Sequence, residues 1–589
     1  MLGKIEKIID NKLYLKLSVD PSVNKSFLNL YVVIKDENKV YIGEIISIDS
    51  FNAIINLLGE YNNNEFEFGI IKKPALKSTV DLIDPSFIGE LLTFKNVKKL
   101  EIAKLPFYDN VPIKAKLSAL FGNHFAIFGS TGSGKSCAFA RIMQNLLNIN
   151  NLSNNIHIAL FDTYGEYTEA FSYLNEIPNK GYKIYSSNLS SNKEIIYLPP
   201  WLLDIDDYAL LLNVTKPIQI SILEKTLRNV SLFKRKEEEV IVYKNSIIAQ
   251  ALLDIILSGR QASQIRDLFI SALTKFKTKD LNLESIISQP GYNRTVRQCL
   301  LIDSNNKINA IEEIVNFLEQ FSTEEVYTTI PDGTFSYSLN DFADALDFAL
   351  ISEGVWKSDK IYDDFNILKV RLNSLLNSDS KSFFLKENDE NYYIDRETYI
   401  KNLFLKSDGS VAQIINFNIS ELDDRFARVI VKIYSKLFFN YLKSATQRAS
   451  FPINIILEEA HRYVQSEEHD TDNAILGYNI FERITKEGRK YGNILTLISQ
   501  RPSELSETCL SQCSNFLFFK MTHPVDINYI AKAIPDVNEE IIEKMKVVKA
   551  GHAICFGNAF KCPSLLKFDL PNPLPNSDNV DLDSLWFNS

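Results

Sequence analysis

Residues 125–143, FAIFGSTGSGKSCAFARIM, restrict the possible folds of this chain more than any other stretch. A β-prone apolar run meets a glycine-rich turn, and a helix-forming segment follows. The turn, Gly129-Ser130-Thr131-Gly132-Ser133-Gly134-Lys135-Ser136, is a full match to G-x-x-x-x-G-K-[ST]. Glycines at 129, 132 and 134 permit backbone angles and close approaches that a Cβ forbids. The consecutive N–H groups from Gly129 to Cys137 then face one anion-sized hollow, backed by the positive end of the next helix. Lys135 is placed to neutralise β- and γ-phosphates, and the Ser136 hydroxyl to hold Mg²⁺. ATP and Mg²⁺ are the expected ligands, on an α/β core with a parallel sheet.

The 589 residues, 45% hydrophobic and 23% charged, suffice for two to four domains with real cores. Residues 1–95 hold short β-branched runs (KLYLKLSV, LYVVIK, VYIGEIISI, NAIINLLGEY) spaced as in a small β-barrel. Strands then alternate with helices over 96–200 and again over 411–570. IHIALFD, INIILEEAH and ILTLISQRP are the continuous apolar strands of a sheet buried on both faces. Between them, 201–410 reads as a mostly helical insertion, with SIIAQALLDIILSG, INAIEEIVNFLEQF and NDFADALDFALIS at helical spacing. Its charge cluster KRKEEE (234–239) is expected on a solvated helix face, with a DNA contact as the lesser alternative. The tail, 571–589, is rich in Pro, Asn and Asp, and Trp586 is expected to pack on its own domain or on another subunit.

No apolar run approaches the roughly 20 residues that span a bilayer. The N-terminal MLGKIEKIIDNKLYLKL carries charges throughout and is not read as a signal peptide. Six scattered Cys without a C-x-x-C pair, and six His without ligand spacing, point to a reducing, cytoplasmic setting with neither zinc nor disulfides. A net charge of −10 argues against general coating of nucleic acid but leaves room for cations converging inside a channel.

Hydrolysis needs a metal-orienting acid and a group that positions water. NIILEEAHRY offers Glu458 and Glu459 at the C-terminal edge of a buried strand, where open α/β sheets bind ligands. Adjacent residues point in different directions, so Glu458 is assigned to Mg²⁺ and Glu459 to water activation. Gln500, after ILTLIS, can span from water or γ-phosphate toward a neighbouring subunit. Arg489 and Lys490 in EGRKYG have two readings: a cation that completes a neighbour's site, or ordinary cations at a helix C-terminus. In FDTYGEY, Asp162 at a strand end is a candidate metal-side acid, while Glu166 reads equally as a turn residue.

HFAIFGSTGSGKS, FDTYGEY, IILEEAH, KEGRKYGNILTLISQRPSEL and the closing FGNAF with Pro563 resemble the HerA family of hexameric DNA-translocating ATPases, relatives of FtsK. The N-terminal β domain resembles that family's HAS barrel. The resemblance implies a RecA-like core in a homohexameric ring, ATP sites between subunits and double-stranded DNA in a central pore. It also implies Lys135, Ser136, Glu459, Gln500 and Arg489 in the roles above, Arg489 acting in trans. A partner nuclease or a sirtuin-like, NAD-consuming effector is implied as well, in DNA end processing or anti-phage defence. The competing expectation is an ATP-switched scaffold for such an effector, without processive DNA movement. Three features depart from the family pattern: Glu458 where Asp is frequent, Asn123 where many relatives carry Arg before His124, and a long insertion between Lys135 and Glu459.

Overall fold

A computed structural model of the chain describes residues 1–18, 27–37, 39–49, 51–150, 152–191, 193–234, 237–289, 291–322, 335–352, 359–385, 393–465, 478–534, 537–577 and 586. Two compact units emerge, one from Met1–Glu194, Ile400–Asp470 and Tyr478–Ser589, the other from Ile195–Tyr399.

The first unit begins with seven antiparallel strands: β1 (Gly3–Ile9), β2 (Lys12–Leu17), β3 (Tyr31–Asp36), β4 (Lys39–Ile48), β5 (Asn52–Asn62), β6 (Glu65–Phe68) and β7 (Thr79–Leu82). Their order is β2-β1-β7-β3-β4-β5-β6, and a second pairing of β2 with β5 closes six of them into a barrel. Register shifts between Ile42 and Gly43 and between Ile45 and Ser47 bend β4 as closure requires. Alternation along the strands points Leu13, Leu15, Val32, Ile34, Ile45 and Ile55 into the barrel core. Other barrel residues, Tyr31, Ile42, Leu58 and Phe66, pack into the same cluster as Ile113, Ile127 and Phe568 of the adjoining α/β core. The Tyr108 hydroxyl accepts from Tyr31 N at 2.6 Å, and Lys544 pairs with the buried Glu44 at 2.6 Å. Barrel and core therefore share one hydrophobic interior.

The second sheet of this unit comprises β8 (Lys99–Leu105), β9 (Val111–Lys116), β10 (Phe125–Phe128), β11 (His157–Asp162), β12 (Tyr182–Ser186) and β13 (Glu194–Ile195). It continues, after β14 (Ile286–Gln289) and β15 (Tyr292–Thr295), which form a separate hairpin, with β16 (Ile414–Asn418), β17 (Ile453–Leu457), β18 (Asn493–Ser499), β19 (Asn515–Phe518), β20 (His552–Gly557) and β21 (Ser564–Lys567). Inward from the short edge strand β13 the order is β12-β16-β11-β17-β18-β10-β19-β20-β21-β8-β9. Pairing is parallel from β12 to β19 and antiparallel from β19 onward, so the sheet is mixed. Every residue of β10, β11 and β18 is buried, as expected for strands covered on both faces. Helix α1 (Lys135–Leu147) leaves the glycine-rich turn; α2 (Asp424–Ser444) starts at Asp423, whose carboxylate accepts from Phe426 N at 2.9 Å. Helix α3 (Ile480–Glu487) is capped likewise by Asn479.

The second unit is mostly helical, with helices at Pro217–Lys234, Glu237–Ile256, Ala262–Lys275, Ile311–Glu319, Leu339–Ser352 and Asp359–Leu376, together with the β14–β15 hairpin. Leu252, Phe269, Leu273, Ile314, Leu318 and Phe348 form its core. The KRKEEE cluster lies largely outside the described residues. Trp586 is exposed, and the tail around it lies outside them too. Among the described residues no helix is long and apolar enough to cross a membrane.

Candidate active site

Between β10 and α1 the loop wraps as its glycines demand. Gly132 and Gly134 have φ of 71° and 104°, and a Cβ on Gly129 would stand 2.5 Å from Phe519 Cβ and 2.6 Å from Ser133 Oγ. Neighbouring segments hold the loop: Ser130 N and Oγ donate to Lys520 O at 2.9 and 2.8 Å, and Gly551 N donates to Ser133 O at 2.9 Å. The Lys135 ammonium turns back into the loop and donates to the Gly129 and Ser130 carbonyls at 2.8 and 3.1 Å. Burial lowers its pKa, while Glu459, Glu458 and Glu166 push it back up. An ammonium folded into a glycine-rich turn at the N-terminus of α1 is the arrangement of a phosphate-binding loop.

Glu458 and Glu459 follow β17, and β18 separates that strand from β10. Glu458 is almost fully buried, and its Oε2 has no hydrogen-bond partner. Burial first, then Asp162 and Glu166, hold its pKa well above the carboxylate range. Glu459 takes a left-handed backbone, φ 48° and ψ 48°, which turns its side chain out of the line of β17. Burial raises its pKa as well, opposed first by Lys135 and then by the Gln500 N–H. Its Oε2 lies 3.3 Å from His461 Nδ1 without a hydrogen bond, since that nitrogen is engaged with Ser499 Oγ at 3.1 Å. Gln500, at the end of β18, accepts from Thr131 Oγ1 at 2.6 Å, which ties the sheet edge to the loop.

Asp162 ends β11 and is fully buried. Its two oxygens accept from Glu166 N at 3.0 Å and Tyr167 N at 2.9 Å, and Asn416 Nδ2 donates to it at 3.1 Å. Asp162 thus builds the turn that presents Glu166, and Glu458 is its side-chain neighbour. Burial raises the pKa of Glu166, and the nearby Ser136 hydroxyl favours its charged form. Magnesium at triphosphate sites takes one or two carboxylates and completes its shell with phosphate oxygens and water. The unpartnered Glu458 oxygen and the Ser136 hydroxyl fit that requirement. An all-protein cage is not needed, and among the described residues no group of three His, Cys, Asp or Glu forms one. Cys137 stands in the first turn of α1; none of the six cysteines is in a disulfide.

Arg489 is elsewhere. It sits on the turn Gly488–Tyr491 that enters β18, whereas Gln500 and the cradle lie beyond that strand's other end. Seven residues at about 3.3 Å each put roughly 20 Å between the two ends. Arg489 is exposed and lines a cavity of about 300 Å³ with Asn123, His124, Lys486 and Lys490. His124 accepts from Leu495 N at 3.0 Å, and burial, with Arg489 beside it, lowers its pKa to about 4. Lys135, Ser136, Glu458, Glu459, Gln500 and Asp162 converge on one site; Arg489 does not join them within a single chain.

A glycine-rich anion cradle on one strand, paired acids on another and a strand between the two define a P-loop NTPase of RecA-like build. A family model described as "Helicase HerA, central domain" matches residues 87–326. The chain is 24% identical to the DNA double-strand break repair helicase HerA of Sulfolobus acidocaldarius, over 82% of this chain and 71% of that one. It is 23% identical to the protein of the same name from Pyrococcus furiosus, over 80% and 69%. Over most of its length the chain is therefore similar to HerA proteins. Among solved structures, VirB4 of Thermoanaerobacter pseudethanolicus superposes with a TM-score of 0.41 at 12% identity, covering 81% of this chain and 98% of that one. The bacterial conjugative coupling protein TrwBdeltaN70 gives 0.42 at 10% identity, covering 85% and 94%.

Proposed function

We propose that this chain hydrolyses ATP to drive movement along duplex DNA, as the name of its HerA relatives suggests. The observation that carries the hydrolytic reading is Glu459. It has a buried, unpartnered carboxylate oxygen, is turned out of its strand by a left-handed backbone and is electrostatically coupled to Lys135. Bound ATP would lay its phosphates along Gly129–Cys137 and draw the Lys135 ammonium from the loop carbonyls. Glu459 takes a proton from water as that water attacks the γ-phosphorus. The bond from the γ-phosphorus to its bridging oxygen breaks, and Lys135 neutralises the charge left on ADP. Ser136 and Glu458, with Asp162 behind, would hold Mg²⁺, which would supply charge neutralisation for the phosphates. Gln500, tied to both Thr131 and Glu459, senses which nucleotide is present.

Arg489 lies too far from its own cradle to act there, and its exposed side chain makes no hydrogen bond or ion pair among the described residues. This supports a role on a neighbour's γ-phosphate and hence a ring, which we take to be a homohexamer with duplex DNA in its pore. We place a nuclease or sirtuin-like effector alongside it, in end processing or anti-phage defence. The test is ATPase activity with and without duplex DNA. Stimulation that falls steeply between 50 and 200 mM salt, on the order of that for other multi-phosphate contacts, is expected for a motor. ATPase indifferent to DNA but altered by a co-purifying protein would replace it with a switchable scaffold. Lys135→Ala should lose nucleotide binding; unchanged ATP affinity refutes the cradle.

A further inference from the structure

The last described segment of the chain touches the nucleotide site from behind. Gln144, on α1 and buried, grips it on both sides: Oε1 accepts from Asn572 N at 2.9 Å, and Nε2 donates to Pro573 O at 2.9 Å and to Ala170 O at 3.0 Å. Four residues further on, Asn576 N donates to Glu166 O at 2.7 Å. One side chain thus brackets the tail, the cradle helix and the 162–170 loop, and the tail then fastens to the residue whose carboxylate faces Ser136. The Glu166 Oε2 is buried without a hydrogen-bond partner, although the nearby Lys135, Glu459 and Asp162 all act on its charge.

We propose that Glu166 is a positioning residue of the ATP site and that residues 570–577 form a strap that sets it. With its buried Oε2 unpartnered, the Glu166 carboxylate is free to accept from the neighbouring Ser136 hydroxyl once nucleotide is bound, and so to orient the oxygen that the metal–nucleotide complex needs. The strap keeps the Glu166 main chain at the distance where that bond forms. Two features recommend a working part over a decorative tail. A tail serving only to cover α1 has no need of an amide bond to the loop across the cleft. A turn serving only to end β11 is complete once Asp162 has accepted from Glu166 N and Tyr167 N.

This rests on the ATP reading above, and the experiment separates the two. Asn576→Pro deletes the amide donated to Glu166 without touching the core, and Pro575 already precedes it. Glu166→Ala removes the carboxylate. Binding of a fluorescent ATP analogue with Mg²⁺ is titrated for wild type, each variant and the double variant, with thermal unfolding recorded for all four. Loss of one hydrogen bond at this position predicts that Asn576→Pro weakens binding about three- to tenfold. Because the strap acts through Glu166, the same substitution adds nothing further in the Glu166→Ala background. Glu166→Gln, which can still hydrogen-bond Ser136, recovers most of the affinity. Additive losses in the double variant, or an Asn576→Pro protein that binds as wild type, overturn the strap. If one variant unfolds at assay temperature, Gln144→Ala breaks the bracket instead and the same cycle is read. Failure of the wild-type protein to bind the analogue would instead overturn the ATP reading itself.

Discussion

Glu459 sits in a backbone region that a residue with a Cβ enters only at a cost of about 1–3 kcal/mol, and such strain persists where the surroundings enforce it. Here the enforcement comes from β17 on one side and the Ala460–Arg462 turn on the other. The reward is a carboxylate aimed at the cradle. Glu459→Gln keeps the shape and loses the base, so ATP binding should survive while turnover falls about 10²- to 10⁴-fold. Single-turnover assays beside equilibrium binding check this, and brisk hydrolysis by the variant would move the base elsewhere. Because burial raises the Glu459 pKa above its ordinary 4.5, the acid limb of kcat/KM should lie above that value. The sign follows from the role: only the ionised base accepts a proton, so activity is lost as pH falls through the raised pKa. Residual activity of the Gln variant should show no such limb.

At the scale of strands and helices, one sheet edge collects Asp162, Glu166, Glu458 and Glu459, and burial is the first cause of a raised pKa in all four. A raised folded-state pKa means that the folded chain holds more protons than the unfolded one across the window between the two values. Stability therefore falls as pH rises through that window, opposite to the behaviour of a salt-bridged surface acid. Glu458→Gln removes one of the crowded charges. Its Tm should exceed that of the wild type by about 1–3 °C at the alkaline end of a pH 6–9 series, the gain shrinking toward acid. Unfolding scans across the series decide it; a Tm below wild type at pH 9 would mean that Glu458 stabilises the apo fold. These positions differ in how far the sequence revealed them. The cradle was legible because its conformation is forced by glycines at fixed spacing, and Glu458 and Glu459 because they follow a strand that is apolar apart from Asn454. The barrel strands β2 to β5 announced themselves by β-branched runs, whereas β1, GKIEKII, did not, because Lys4, Glu6 and Lys7 are exposed and a register shift at Ile5/Lys7 breaks its alternation. The turn role of Asp162 and the strap were invisible for another reason. Gln144 meets Asn572 across 428 positions, and no local pattern encodes such a pairing.

For the whole molecule, the decisive geometry is the length of β18, with Gln500 at one end and Arg489 at the other. Helix-end cations usually complement the dipole of their own helix, and α3 ends just before Arg489, so a local role has to be weighed. Lys486 already occupies the last turn of α3, next to Glu482 at 3.2 Å, which leaves Arg489 without that task. In a head-to-tail ring each subunit would offer its cradle to one neighbour and its Arg489 face to the other. Lys135→Ala and Arg489→Ala proteins should each be inactive alone. When subunits assort at random in equal amounts, a cradle intact in the Arg489→Ala chain meets an intact arginine in its neighbour at about a quarter of the interfaces, so roughly a quarter of wild-type ATPase should return. Subunit exchange is verified by co-purification through a tag carried on only one of the two variants. Mixed rings that remain silent would place Arg489 outside the reaction and leave it a surface residue of the turn after α3. A single Arg489→Ala preparation with full activity would do the same. Restored turnover would show that a site is assembled from two chains, and the exposure of Arg489 in the isolated chain would then be the mark of an unfinished interface.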